Sequence, residues 1–278
     1  MTVAVTLNLA DGVVFGVDSM VTLPSSAGKE TTVYDNSEKL FPLGKLPIGI
    51  ATYGLGAMAS RTIGSYLHEY EVTDPDGLLA GNHTMADLVE SLRGFLMTHY
   101  QRAVVPQLEA YRGMPFQDMP VLERPAFGVI VGGFAPGTYL SEVWEVLIPE
   151  HEQPRSARLR RPQGQFGADS YAMPRPIERY LGGIDWDVLQ EIIGYFESLR
   201  GLPLTPEQLS ELFSRISAHQ YYIPYYVMPI EEGVRFTRFL VDLVINHHRF
   251  GPGHPVVGGR ARIGKVTYRE DGFRILDS

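Results

Sequence analysis

Thr2, Asp18 and Lys39 together supply the parts of a self-sufficient nucleophile. Met1 precedes a small residue, the setting in which an aminopeptidase removes the methionine and leaves Thr2 at the N-terminus. A terminal threonine carries a hydroxyl that attacks a carbonyl and an α-amine that takes the proton. That amine has an ordinary pKa of about 7.7–8.0, against about 10.4 for a lysine, so it is a competent base near neutrality. A lysine ammonium nearby favours the neutral amine, and a carboxylate holds the lysine in place. Lys39 and Asp18 have the right chemistry for those two roles. Taken singly, each residue has a plainer reading. Thr2 is an ordinary strand start, Asp18 a buried or turn carboxylate, and Lys39 a solvated strand-end lysine. The catalytic reading needs the three to meet.

The elements that must bring them together are legible as pattern. Residues 2–9 alternate, with Val3, Val5, Leu7 and Leu9 on one face, and predict a strand. Asp11-Gly12 is a hairpin signal, and 13–21 predicts the returning strand that carries Asp18. A two-residue Asp11-Gly12 turn would pair Leu9 with Val14 and Thr2 with Val21, turning Asp18 away from Thr2. The three-residue cluster therefore requires an odd-length loop or a bulge in this hairpin. Strands follow at 39–43 and 48–52. Helices are predicted over 54–70 and 84–111, the second with Thr84 as N-cap. Residues 126–134 and 139–148 return to strand pattern, and 149–162, with Arg155, Arg158, Arg160 and Arg161, reads as a solvated basic loop. Residues 185–219 are helical, with Thr205-Pro206-Glu207-Gln208 as a capping box. A further helix covers 231–248, and 261–276 forms a closing hairpin turned by Glu270-Asp271-Gly272.

Composition bounds the reading. The chain has 278 residues, 44% of them hydrophobic and 20% charged, which is ample for a packed core. A net charge of −8 argues against a nucleic-acid partner and against a polybasic membrane anchor. Zero cysteines exclude thiol catalysis, disulfides and zinc–thiolate sites. No signal-peptide pattern and no apolar run of about 20 residues is present, so the sequence points to a cytoplasmic location and no membrane partner. His247, His248 and His254 do not make a metal site, because neighbouring histidines on a helix diverge and no carboxylate stands at ligand spacing.

The ordered set Thr2, Asp11-Gly12-Val13-Val14, Val17-Asp18-Ser19, Ser37-Glu38-Lys39-Leu40 and the strand ending at Gly54 resembles the proteasome β-type N-terminal nucleophile hydrolases, bacterial proteasome homologues among them. Thr2 and Asp18 stand sixteen residues apart, as the family's threonine and aspartate do. Phe127 to Gly133, Phe166-Gly167-Ala168-Asp169-Ser170 and Val257-Gly258-Gly259 resemble its central strand, its Gly-Ser-Gly loop before a helix and its last loop. The resemblance implies an α+β fold, a four-layer αββα sandwich of two mainly antiparallel sheets. It implies a single domain over 1–278 with a helical insertion at 183–232. It further implies a threonine peptidase that cleaves peptide or protein substrates without metal or cofactor. Its site would consist of Thr2, Asp18, Lys39 and the Gly54 N–H as oxyanion donor. The chain departs from the pattern at Met20, where the family has arginine, at Ala168, and at His254-Pro255-Val256-Val257. Ser19, Asp169 and Ser170 are the accessory groups left to support the amine. The family assembles as rings or related multimers, which implies a homo-oligomer and raises an ATP-dependent unfoldase as a partner. Two other functions fit the same residues: a small-molecule amidase or acylase, and a catalytically inactive assembly subunit.

Overall fold

Residues 2–24, 31–80, 83–149, 157–218, 220, 222–252, 255–270 and 272–276 are described in the computed structural model of the chain. The alternating start forms β1 (Ala4–Leu9) and pairs antiparallel with β2 (Gly12–Asp18). A short antiparallel pair follows, β3 (Val21–Pro24) and β4 (Thr31–Tyr34). Next come β5 (Leu40–Pro42) and β6 (Ile48–Gly54), which bring Lys39 and Gly54 to one end of a sheet.

The predicted 54–70 helix starts later than the sequence suggests. β6 runs on through Gly54, and a small hairpin, β7 (Ala57–Met58) and β8 (Arg61–Thr62), precedes α1 (Ile63–Thr73). The physical reason is the cap: Thr62 Oγ1 accepts the Ser65 N–H, so the first helical turn begins there. The 84–111 helix divides into α2 (Met85–Ala103) and α3 (Val105–Arg112), where Pro106 opens a new first turn. Thr84 caps α2 in a full capping box with Asp87.

β9 (Phe127–Gly133) and β10 (Glu142–Ile148) follow as expected. The basic run holds β11 (Arg158–Arg161), an edge strand paired with β10, so this part is not a solvated loop. β12 (Gly167–Tyr171) then pairs with β1; the segment read as a loop is a strand. Helices α4 (Arg175–Gly182), α5 (Trp186–Arg200), α6 (Pro206–Ser217) and α7 (Ile230–Phe250) lead to β13 (Ala261–Thr267) and β14 (Arg274–Leu276).

Two antiparallel five-stranded sheets result, ordered β12-β1-β2-β13-β14 and β11-β10-β9-β6-β5. The fold is α+β. Ala4, Phe15 and Val17 of the first sheet meet Ala51, Ile130 and Val143 of the second. The other face of the first sheet packs on α7 through Leu240, Val241 and Val244. The other face of the second packs on α1 and α2 through Leu67, Tyr70, Leu88 and Leu92. Fully burying each such aliphatic chain contributes about 1.5–3 kcal/mol, which fixes the sheets and hence the strand ends that carry the site. Among the described residues, no helix is long and apolar enough to cross a membrane.

Candidate active site

The β1–β2 hairpin is regular. Its two-residue turn is Ala10-Asp11 rather than Asp11-Gly12, since Leu9 pairs with Gly12 and Ala4 with Val17. No bulge is present in it, so the condition set by strand parity is not met as stated. The cluster forms by another route. Thr2 and Val3 lie beyond the end of β1, and Asp18 is the last residue of β2. From the end of β2 the Asp18 carboxylate reaches both Val3 and Lys39. Its Oδ1 accepts the Val3 N–H at 3.1 Å, and the Asp18 N–H donates to the Val3 carbonyl at 3.3 Å.

Lys39 completes the arrangement from the second sheet. Its Nζ donates to Thr2 Oγ1 at 3.1 Å, to Asp18 Oδ1 at 2.8 Å and to the Met20 carbonyl at 2.7 Å. Three acceptors match the three N–H bonds of an ammonium. Lys39 is held from behind by its own backbone, whose carbonyl accepts the Thr52 N–H at 2.9 Å. Thr2, Asp18 and Lys39 are all buried. Burial pushes the Asp18 carboxyl up and draws the Lys39 ammonium down, and their ion pair opposes both shifts. Asp18 Oδ2 accepts one further bond, from the Gly258 N–H at 3.3 Å.

The cluster opens into a cleft of about 900 Å³, lined by Thr2, Met20, Lys39, Thr52, Tyr53 and Gly54 among others, with the β7–β8 hairpin as part of its wall. Gly54 ends β6 with φ +86°, and a Cβ there would lie 2.5 Å from the Ala126 carbonyl oxygen. Only glycine meets both conditions. Gly54 does not open a helix, because α1 begins nine residues later. A helix dipole therefore cannot be part of its chemistry. Behind the cleft, the Tyr53 hydroxyl donates to Glu145 at 2.6 Å, and burial beside that carboxylate pushes the phenol well above its usual range.

The accessory residues are placed apart from the cluster. Ser19 Oγ donates to the Asp35 carbonyl and accepts the Arg260 N–H at 3.0 Å; it ties loops together and bonds none of the three. Asp169 stands opposite Thr6 and is held by Arg161 at 2.6 and 3.1 Å. Ser170 stands opposite Val5, three residues along the strand from Thr2, and lines a groove with α4, α5 and α6. Both are corrections to the loop reading: pairing of β12 with β1 fixes them away from Thr2. Three groups that the sequence reading left unassigned do touch the cluster, namely the Val3 N–H, the Met20 carbonyl and the Gly258 N–H. They are backbone atoms without a side-chain signal, though Val257-Gly258-Gly259 stood out as a motif. His247 and His248 have ring centres 5.5 Å apart, and His254 lies outside the described residues.

No protein-family model and no curated protein matches the chain. Among solved structures, Anbu (ancestral β-subunit) from Yersinia bercovieri is similar at 11% identity, over 99% of this chain and 88% of that chain, with a TM-score of 0.49.

Proposed function

We propose that the chain is an N-terminal threonine hydrolase that cleaves peptide bonds in the manner of a proteasome-like endopeptidase. One observation carries this reading. A single buried lysine nitrogen donates at once to the Thr2 hydroxyl and to the Asp18 carboxylate, at the mouth of a cleft of about 900 Å³. In the reaction, removal of Met1 frees the Thr2 amine. Thr2 Oγ attacks the amide carbonyl, and its proton passes to that amine. Lys39 stabilises the hydroxyl oxygen and, by like-charge repulsion, the neutral amine. The Gly54 backbone faces the cleft where an oxyanion develops. The protonated amine gives its proton to the leaving amine, an ester to Thr2 remains, and water activated by the amine hydrolyses it. The same proposal includes a four-layer αββα arrangement, one domain over 1–278 with 183–232 inserted, and a homo-oligomer served by an unfoldase.

Intact mass spectrometry before and after an electrophile selective for N-terminal threonine tests it. The expected result is a chain without Met1 and with one adduct on Thr2, together with peptide turnover. Retained Met1 and no adduct would overturn it. Turnover confined to small acyl amides would assign a small-molecule amidase instead. A second reading, an inactive assembly subunit, draws on the positions of Asp169 and Ser170. Asp169 is committed to Arg161 and Ser170 faces the helices, so neither supports the Thr2 amine.

A further inference from the structure

His248 is the last inward-facing residue of α7. Thr237, Val241, Val244 and His248 follow one another at intervals of four, three and four, a single helical stripe. The first three are fully buried, and Thr237 and Val241 lie against Gly16 of β2. Gly233, one turn earlier, lies against Leu9 and Val14, so α7 runs along β2 toward Asp18. From Val241 to His248 the helix rises about 10 Å, and from Gly16 to Asp18 the strand rises about 7 Å. The stripe therefore heads toward the strand ends where Thr2 and Asp18 sit, and the charges of Asp18 and of the amino terminus both act on the half-buried His248. The chain then returns through 251–260, placing the Gly258 N–H on Asp18 Oδ2 and pairing Ala261 with Asp18.

The His248 Nε2 atom is buried and has no hydrogen-bond partner. An unpaired buried polar atom costs about 1–3 kcal/mol, and such groups call for a reason. Asp18 Oδ2, with its one long bond, has acceptor capacity left. The charged groups acting on His248 are His247 on its own helix, Asp18 from β2 and the chain's amino terminus. Burial draws the imidazole below its ordinary range, and Asp18 acts in the opposite sense.

We propose that His248 is a positioning residue of the threonine site, whose neutral imidazole leaves Asp18 to Lys39 and whose protonation at Nε2 draws Asp18 away and switches the site off. The proposal rests on the threonine reading. Below neutrality two protonations then silence the site, one on the Thr2 amine and one on His248.

The test is the rate of Thr2 labelling by a threonine-selective electrophile as a function of pH, in the wild type and in His248→Gln. A slope approaching two on the acid side is expected for the wild type and one for the variant. Their rate ratio grows about tenfold per pH unit below the His248 midpoint. Equal slopes would overturn the proposal. Histidine NMR titration, with His248 assigned by the signal lost in His248→Gln, provides an arm independent of activity. Its midpoint is expected to fall in Asp18→Asn, because a carboxylate that favours the imidazolium is gone. An unmoved midpoint overturns the proposal, and where His248→Gln fails to fold in quantity the His248 signal is assigned instead by its loss in His248→Asn. Absence of any wild-type adduct would instead count against the nucleophile, leaving the titration to decide on His248.

Discussion

The strand ends around Thr2 and the helical stretch from α4 to α6 are built on opposite terms. Every described residue of β1, β2 and β9 is buried. By contrast, α6 buries none of its residues and α5 only Leu189 and Ile193, while Trp186, Tyr195, Phe196 and Leu199 are exposed. Close packing transmits small volume changes, whereas an exposed helix face absorbs them. The difference teaches where precision resides. Lys39 reaches Thr2, Asp18 and Met20 together only because two sheets are locked face to face. The helices of the second region are held by local caps, such as the Thr205–Gln208 capping box, and need no such lock.

Substitutions at either end of this contrast sharpen it or break it. Lys39→Ala is expected to fold and to lose about 10⁴-fold in kcat/KM on peptides, since it removes the group that polarises the nucleophile and tunes its base. Undiminished turnover would remove Lys39 from the chemistry. Asp18→Asn is expected to cost about 3–5 kcal/mol in urea unfolding, because Lys39 is left buried without its counter-ion. The direction of the titration shifts adds a second expectation. Asp18 lies above its ordinary value and Lys39 below, so near neutrality the ionised pair costs stability relative to the unfolded chain, where both groups are charged in water. That cost sets in for Asp18 as pH rises above about 4 and for Lys39 as pH falls below about 10. The double variant Asp18→Asn, Lys39→Met is thus expected to be more stable than Asp18→Asn alone at pH 7, with activity absent. Gly54→Ala is expected to lose about 10²–10³-fold in kcat, and a crystal structure of the variant would show the 126–127 backbone displaced by the new Cβ. Phe196→Ser, on exposed α5, is expected to shift stability by no more than about 0.5 kcal/mol. A loss of several kcal/mol there would show that the helical stretch is packed like the sheets.

How much of this was legible beforehand follows from where the signals reside. Alternation over 2–9 announced β1, and Thr84 and Thr205 announced helix starts, because those patterns are local. The choice of Thr2, Asp18 and Lys39 also came from residue types, and the structure brings the three together. The turn falls one residue before the Asp11-Gly12 signal. Gly12 looks like a turn glycine, but it serves a close approach: a Cβ there would fall 2.0 Å from the Val266 carbonyl oxygen of β13. Gly167 misled in the same way, as its Cβ position is filled by the Arg161 guanidinium. Asp169 and Ser170 therefore look like loop residues in the sequence, although they belong to β12. A glycine's need for space comes from a distant strand, and no window along the chain contains it. The same holds for the Met20 carbonyl and the Gly258 N–H, which any residue type supplies.

Val3 and Asp18 clasp each other in both directions, N–H to carboxylate and N–H to carbonyl. This clasp anchors residue 2 from its C-terminal side. On the proposed threonine reading, trimming the chain back to Thr2 would expose an amine beside the Lys39–Asp18 pair that this clasp holds. Activation, on that proposed reading, would be a one-way event timed by a single peptide-bond cleavage.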